Sequence, residues 1–272
     1  MRAAVSIALS LALTAGCSED LDILRSVGTD AGRPDSGPRE TPTEPMILYQ
    51  FDEGAGARVF DSSASGPLVH LSIADASAVR WLGDALVVET PTALTSDDAP
   101  SAFIEACRES GELTIEAWIV PAETVVDGTR RIVTLSASPS SRNFTLGQGG
   151  LFAEPPSDTY VLRLRTTDTD GNGLPMLSTG PSFARAALTH LVAVHRDDGT
   201  EIIYGDGAVA VEGMRLGDFA GWAPDHRLVV GNELAAGDPS RAWLGELHFV
   251  ALYAAALTPE EVRERYGLGA LH

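Results

Sequence analysis

The side chains that could carry out hydrolysis do not have the spacing of a known hydrolase site. The six histidines are scattered along 272 residues, and no His-Glu-x-x-His run places two imidazoles on one helical face to bind zinc. No serine lies in the Gly-x-Ser-x-Gly turn of a nucleophile elbow. Glu116 and Glu246 are isolated acids in apolar segments, and Glu116 and His190 fit buried structural roles better. We therefore expect no catalytic residue and no enzymatic activity.

A run of oxygen-bearing side chains at residues 168–173, DTDGNG, has the spacing that suits a calcium ion. Asp168, Asp170 and Asn172 place oxygens at alternate positions, as in the first half of an EF-hand loop. The closing bidentate glutamate is missing, so the alternative is a polar turn between two strands. Cysteines and histidines are too few and too dispersed for a closed zinc site. A structural calcium ion is therefore the metal hypothesis.

Aromatic side chains are the other candidates for ligand binding, because sugar rings stack on exposed aromatic faces. Of the four tryptophans, Trp118 and Trp243 lie in strongly apolar segments and are expected in the core. Trp81 and Trp222 lie in loop-like segments and are the candidate ligand-binding residues. A packing role for either indole is the alternative.

The two cysteines are expected to have different roles. Residues 1–17 are predicted to be a cleaved signal peptide, because Arg2 precedes an apolar run that is too short to span a bilayer. The run ends in Leu-Thr-Ala-Gly-Cys, which resembles a bacterial lipobox despite its threonine. Cys17 is the predicted lipid-attachment residue, so the protein would be exported and anchored to the cell envelope, in Gram-negative cells to the outer membrane. Cys107 then has no partner and is expected to be a small buried hydrophobe.

Composition restricts the partners. The net charge is −19, from 38 acidic and 19 basic residues, and all of the basic residues are arginine. Such a charge argues against electrostatic binding to nucleic acid or anionic lipid headgroups, so membrane contact is expected only through the lipid. Residues 18–45 have no aromatic residue and are rich in polar residues and proline, which predicts a disordered tether.

From residue 46 onward, short apolar runs alternate with turn signals, which predicts an all-β domain. Alternation at 159–166 indicates a half-buried strand, and Asp206-Gly207 predicts a two-residue hairpin turn. A helix over 99–109 would place Cys107 toward the core. A terminal helix is predicted from Thr258, with a capping box, to Gly267, packed against a sheet edge. The remaining predicted strands are 46–51, 68–73, 85–89, 112–120, 131–136, 143–147, 187–195, 201–204, 208–211, 227–231 and 243–253.

Four segments in order resemble the LamG-like jelly-roll family of concanavalin A-like folds: YQFDEGAGARVFDSSASGPLVHL, GELTIEAWIVP, LTHLVAVHRDDGTEIIYGDG, and RLVVGNE with WLGELHFVALYAAALTPEEVRERYG. The resemblance covers residues 46–268 and implies a two-sheet antiparallel jelly-roll sandwich with short peripheral helices. It also implies a frequent calcium ion near the opening strand, where Asp52 and Asp61 are the candidate ligands. The Glu-x-Asp-x-x-Glu motif of glucanases with this fold is absent.

These observations favour a non-catalytic, surface-displayed module that binds an extracellular glycan or protein. Two alternatives remain open, a structural component of the cell envelope without a small ligand and a glycan-degrading enzyme with an unrecognised site. A fold of this kind does not fix the function.

The lipid anchor gives the first testable prediction. Palmitate fed to expressing cells is expected to label the wild-type protein and not a Cys17→Ser variant, because only the cysteine sulfur accepts the diacylglyceryl group. Labelling is read by autoradiography of the membrane fraction. Release of unlabelled wild-type protein into the periplasm or medium would contradict the anchor.

Overall fold

The computed structural model describes residues 43–151, 154–234 and 239–270. Cys17 and most of the 18–45 segment lie outside these residues. The elements of the described residues are the helices α1 (Ser101–Ser110) and α2 (Pro259–Leu268) and the strands β1 (Ile47–Tyr49), β2 (Arg58–Val59), β3 (Leu71–Ile73), β4 (Val79–Trp81), β5 (Leu86–Val88), β6 (Leu94–Ser96), β7 (Leu113–Pro121), β8 (Arg130–Ser138), β9 (Ser141–Gln148), β10 (Tyr160–Leu164), β11 (Leu177–Ser178), β12 (Thr189–His195), β13 (Thr200–Gly205), β14 (Ala208–Met214), β15 (Arg227–Val230) and β16 (Gly245–Tyr253).

The strands form two antiparallel sheets. The first has the order β14-β13-β12-β7-β16-β5-β4, with β1 also paired to β16, and the second has the order β11-β10-β9-β8-β15-β6-β3-β2. Strands far apart in sequence are neighbours in both sheets, so the chain crosses repeatedly between them. The predicted all-β, two-sheet antiparallel jelly-roll sandwich with short helices is confirmed.

The longer strands lie where the sequence pattern predicts them. In β10, Leu162 and Leu164 belong to the core between the sheets, and Arg163 points to the other face, as the period of two requires. The strand is buried on both faces, so the predicted half-buried character is wrong. Asp206 and Gly207 have φ of 51° and 76°, the positive values of a two-residue hairpin turn. Strands β2, β4, β6 and β11 were not predicted, because each has two or three residues and, unlike β1, β3 and β5, does not lie in a longer apolar run.

Side chains from the inner faces of the two sheets form one continuous apolar core. Leu135 and Phe144 of the second sheet and Ile115 and Leu252 of the first sheet are completely buried there. Burying each such side chain contributes about 1.5–3 kcal/mol to folding. Trp243 also lies in this core, as predicted, and its indole N–H donates to Gln148 Oε1 at 2.9 Å.

Helix α1 packs one face into the same core. Phe103, Ile104 and Cys107 are its buried residues, which confirms the predicted orientation of Cys107. The helix ends at Gly111, whose φ of 68° is a left-handed conformation, and the Gly111 amide donates to the Cys107 carbonyl. Burial raises the pKa of the Cys107 thiol well above its ordinary value.

Helix α2 covers the outer face of the first sheet. Its predicted capping box is present, since Thr258 and Glu261 exchange hydrogen bonds between side chain and backbone. The predicted stop at Gly267 is wrong, because the helix continues to Leu268 and Gly269 caps it. The predicted packing against a sheet edge is also wrong, because Val262 joins a second apolar cluster on the sheet face. The other buried residues of this cluster are Trp118, Val192, Val194, Ile202, Tyr204, Phe249, Ala251, Tyr253, Ala256 and Leu257.

A buried carboxylate fixes α2 to that face. Glu116 accepts from His190 Nε2 at 2.9 Å and from the Tyr253 hydroxyl at 2.7 Å, and Arg265 lies 3.8 Å away. The Tyr266 ring stacks on His190 and on Trp118, with centroids 6.0 and 5.8 Å apart. The predicted structural role of Glu116 and the core position of His190 are confirmed.

The same helix holds the segment that leads into β1. The Glu261 carboxylate accepts from the Thr43 amide at 3.2 Å and from its hydroxyl at 2.6 Å, and Arg265 donates to the Thr43 carbonyl. None of the helices in the described ranges combines the length and apolar character needed to cross a membrane.

The burial of Cys107 predicts slow thiol chemistry. In a Cys17→Ser background, the folded protein is expected to react with a disulfide reagent only as fast as it opens, because a buried neutral thiol is a poor nucleophile. A Ser140→Cys variant adds an exposed thiol and serves as the fast-reacting control. Equal rates for the two thiols would contradict the burial.

Glu116→Gln tests the carboxylate under α2. Burial alone would raise the pKa of Glu116, but His190, Arg265 and Tyr253 outweigh it and hold the pKa below its ordinary value of 4.5. The wild-type carboxylate therefore stabilises the fold above pH 4.5, and this stabilisation is lost as the pH falls through the folded pKa. We expect the variant to lose about 3 kcal/mol at neutral pH.

The measurement is urea unfolding between neutral and acidic pH. The difference in unfolding free energy between wild type and Glu116→Gln should narrow below the ordinary carboxyl pKa. A difference that is independent of pH would show that the charge of Glu116 is not involved.

Candidate functional site

The two tryptophans proposed as ligand platforms are placed differently. Trp222 is only 2% exposed, stacks on Phe219 with centroids 4.4 Å apart, and donates its indole N–H to the Arg165 carbonyl at 2.7 Å. Trp222 therefore has the packing role that was the alternative, because its indole belongs to the core between the sheets. Trp81 is half-buried on β4 and donates to the Gly56 carbonyl at 3.1 Å.

The 168–173 run forms the turn between β10 and β11. Asp170 Oδ1 accepts from the amides of Asn172 and Leu174 at 3.0 and 2.9 Å, and Asn172 Oδ1 accepts from Arg163 at 3.4 Å. Asp168 is exposed. These contacts agree with the polar-turn alternative, and the calcium assignment remains a prediction.

The two candidate calcium ligands near the opening strand have different surroundings. Asp61 is 4% exposed, and its two oxygens accept from the amides of Leu48, Ser63 and Val69 at 2.8–3.0 Å. Asp52 is exposed. Within the described ranges, no three His, Cys, Asp or Glu side chains are grouped closely enough to hold a metal ion.

A cavity of about 380 Å³ lies beside β1 and α1. Three segments line it: the start of β1, the loop 65–70 before β3, and residues 97–103, which lead into α1. Ligand pockets typically have volumes of ~300–1,000 Å³, apolar walls and a few polar groups. This cavity therefore has the size and composition of a small-ligand site.

The first turn of α1 supplies hydrogen-bond donors to the cavity. Pro100 occupies the cap position and offers no side-chain hydrogen bond. The Ser101 amide bonds to the Ala99 carbonyl and the Ile104 amide to Pro100, whereas no described group accepts from the amides of Ala102 and Phe103. Helix N-termini carry free N–H groups and a partial positive charge, so these amides attract a ligand oxygen.

Two carboxylates stand beside those amides. Asp97 accepts from Ser72 Oγ at 2.7 Å and pairs with Arg58, and these hydrogen bonds lower the pKa of Asp97. The Asp98 side chain lines the same cavity and is exposed. One side of the cavity therefore offers carboxylate acceptors next to amide donors.

The opposite wall is apolar and includes an imidazole. Leu68 is 53% exposed, although it is a large aliphatic residue. His70 Nδ1 accepts from the Asp61 amide at 3.1 Å, which leaves Nε2–H as the donor of a neutral ring. The Phe60 ring, 52% exposed, packs edge-on against His70 with centroids 5.2 Å apart.

No pattern in the sequence was read as a prediction of this cavity. The helix predicted over 99–109 has an uncapped first turn, whose amides need acceptors from elsewhere. The absence of Ser, Thr, Asn or Asp at the cap position was the available signal. The distance along the chain between His70 and Asp98 concealed their proximity.

Comparison with solved structures gives the same fold at low identity. The botulinum neurotoxin type G receptor binding domain matches with a TM-score of 0.57 and 13% identity over 83% of this chain and 51% of that one. A carbohydrate-binding module, CBM40, of a Ruminococcus gnavus sialidase bound to α2,3-sialyllactose matches with a TM-score of 0.51 and 13% identity, over 67% of this chain and 96% of the module. A Trypanosoma rangeli sialidase in complex with sialic acid gives 0.53 and 15%, over 81% of this chain and 32% of the sialidase.

This chain spans about half the length of the toxin binding domain and a third of the sialidase. No curated protein matches the sequence. A family model described as the concanavalin A-like lectin/glucanases superfamily matches residues 92–263, more than half of the chain. With its two antiparallel sheets and this match, the chain belongs to the concanavalin A-like lectin/glucanase superfamily.

Proposed function

We propose that this domain is a non-catalytic binding module for a neutral glycan, held in the cavity between β1, β3 and α1. One observation carries the proposal: Ala102 and Phe103, whose amides have no acceptor among the described residues, line the same cavity as the acidic residue Asp98. A site with hydrogen-bond donors next to acceptors suits a ligand whose polar groups can each both donate and accept a hydrogen bond.

A sugar hydroxyl is such a group, because it donates one hydrogen bond and accepts others. A hydroxyl in this cavity can donate to Asp98 and accept from the amide of Ala102 or Phe103. The C–H face of a sugar ring is apolar and suits the exposed Leu68 side chain on the opposite wall. Water and isolated ions satisfy only the polar half of this arrangement.

Charge favours a neutral sugar over an acidic one. Asp97 and Asp98 line the cavity, and the whole chain has a net charge of −19, so a ligand carboxylate or sulfate would be repelled. The structural neighbours named for sialic acid and sialyllactose support glycan binding by this fold in general. This domain would prefer neutral glycans to sialylated ones because its cavity is acidic.

The wider proposal includes where the module acts. Lipidation at Cys17 and the 18–45 tether would hold the domain on the cell envelope, exported and facing an extracellular glycan. A calcium ion at Asp168, Asp170 and Asn172, or at Asp52 and Asp61, would be structural. Each of these parts rests on the sequence.

Binding to an array of neutral, sialylated and sulfated glycans tests the proposal, followed by titration calorimetry with the best hit. We expect neutral glycans to bind and Asp98→Asn to weaken the Kd about 10- to 100-fold, the cost of ~1.5–3 kcal/mol for a hydrogen bond to a charged group. Leu68→Ala should also weaken binding, through the apolar wall.

Asp84→Asn is the matched control, since Asp84 is exposed and does not line the cavity. It removes the same charge from the protein and should leave the Kd unchanged. Binding that prefers acidic glycans, or equal loss in both variants, would refute the site. Release of reducing sugar from a bound glycan would refute the non-catalytic role.

A further inference from the structure

Three arginines are buried on the outer side of the second sheet. Arg131, Arg142 and Arg163 belong to the adjacent strands β8, β9 and β10 and are 0%, 0% and 3% exposed. Arg163 faces away from the core, since Leu162 and Leu164 on either side of it point inward. Arginine is almost never fully buried unless its charge is paired, so this group needs an explanation.

Glu233, which follows β15, is the buried carboxylate at the centre of the group. Its Oε2 atom lies 3.2 Å from Arg131 Nε and 3.7 Å from Arg142, and its Oε1 accepts from Ser136 Oγ. Residue 242, just before β16, forms an isolated parallel bridge with Arg131. Within the described ranges, Glu233 pairs with two of the three buried guanidinium groups, and these four side chains together carry a net charge of +2.

The remaining hydrogen bonds of the arginines are to neutral groups. Arg163 donates to Thr129 Oγ1 at 2.6 Å, Arg142 donates to Thr145 Oγ1 at 2.8 Å, and Arg131 donates to the Thr129 carbonyl. One nitrogen of each guanidinium is buried and has no hydrogen-bond acceptor among the residues that the structure describes: Nη2 of Arg131, Nε of Arg142 and Nε of Arg163. A buried donor without an acceptor is costly, and a cationic donor more so.

The electrostatics agree with the geometry. Burial, together with the neighbouring guanidinium groups, lowers the pKa of each arginine from 12.5 to about 10, even with Glu233 present. The exposed carboxylate of Asp170 raises the pKa of Arg142 and Arg163, but it is one of the smaller influences on them. At neutral pH all three groups remain charged, so the positive excess persists.

We infer that this cluster, Arg131, Arg142, Arg163 and Glu233, binds a small monovalent anion of the size of chloride. The three unbonded guanidinium nitrogens supply its hydrogen-bond donors, and its charge offsets half of the positive excess. Complete burial of the arginines excludes a sugar-sized ligand from direct contact. The site is separate from the glycan cavity, which none of these residues lines.

Thermal unfolding in sodium chloride and in sodium gluconate tests the anion site. At an equal ionic strength of about 0.15 M, screening is the same in both salts, and only the smaller anion fits the cluster. An anion bound only by the folded state raises the Tm, so we expect a Tm about 3 °C or more higher in chloride. Arg163→Met should abolish this difference, whereas Arg80→Gln, which breaks an exposed ion pair with Glu89, should keep it.

Bromide gives a readout that does not depend on the stability of a variant. In wild-type crystals soaked in sodium bromide, we expect an anomalous peak among the guanidinium groups of the cluster. Equal Tm values in the two salts, a chloride effect that persists in Arg163→Met, or a map without that peak would each overturn the assignment. None of these results bears on glycan binding in the other cavity, so the two proposals fail independently.

Discussion

The packing of the two inner sheet faces is the interaction on which the rest of this structure depends. A sheet strand has two faces, and only the inner one can be closed by the partner sheet. The apolar core between the sheets takes residues from most of the long strands and from α1. Every other feature, including the helices and the long connections, is attached to the outside or to the ends of this sandwich.

Both outer faces are partly covered, and each cover is fixed by one buried carboxylate. Helix α2 lies on the first sheet, where Glu116 gathers His190, Tyr253 and Arg265. On the second sheet, Glu233, which follows β15, contacts Arg131 and Arg142. The two arrangements differ in charge. Glu116 accepts hydrogen bonds from two donors and lies near one arginine, whereas Glu233 and the three buried arginines carry a net charge of +2 within the described part of the chain. Polar contacts of this kind orient a cover more specifically than apolar contact alone.

Local signals in the sequence predicted the parts of the fold that depend on local geometry. The alternation in β10, the Asp206-Gly207 turn, the capping box at Thr258 and the inward face of Cys107 each involve a few neighbouring residues. Contacts between distant segments could not be read in the same way. Trp222 looked like a loop residue but enters the core.

The candidate sites likewise depend on contacts between segments that are distant in the sequence. Arg163 occupies a strand position that alternation assigns to solvent, yet it is 3% exposed. The glycan cavity joins residues from three separated segments. Residue type and spacing indicated which chemistry was available, but the topology decided which groups meet.

The attachment of Thr43 to α2 has a mechanical consequence. Residues 46 and 47 line the glycan cavity, and the chain enters the domain only a few residues earlier, at the segment fixed by Glu261 and Arg265. A pulling force applied to the chain at Thr43 while a ligand occupies the cavity would therefore pass through a short stretch of chain next to the cavity. Most of the sandwich lies outside that path.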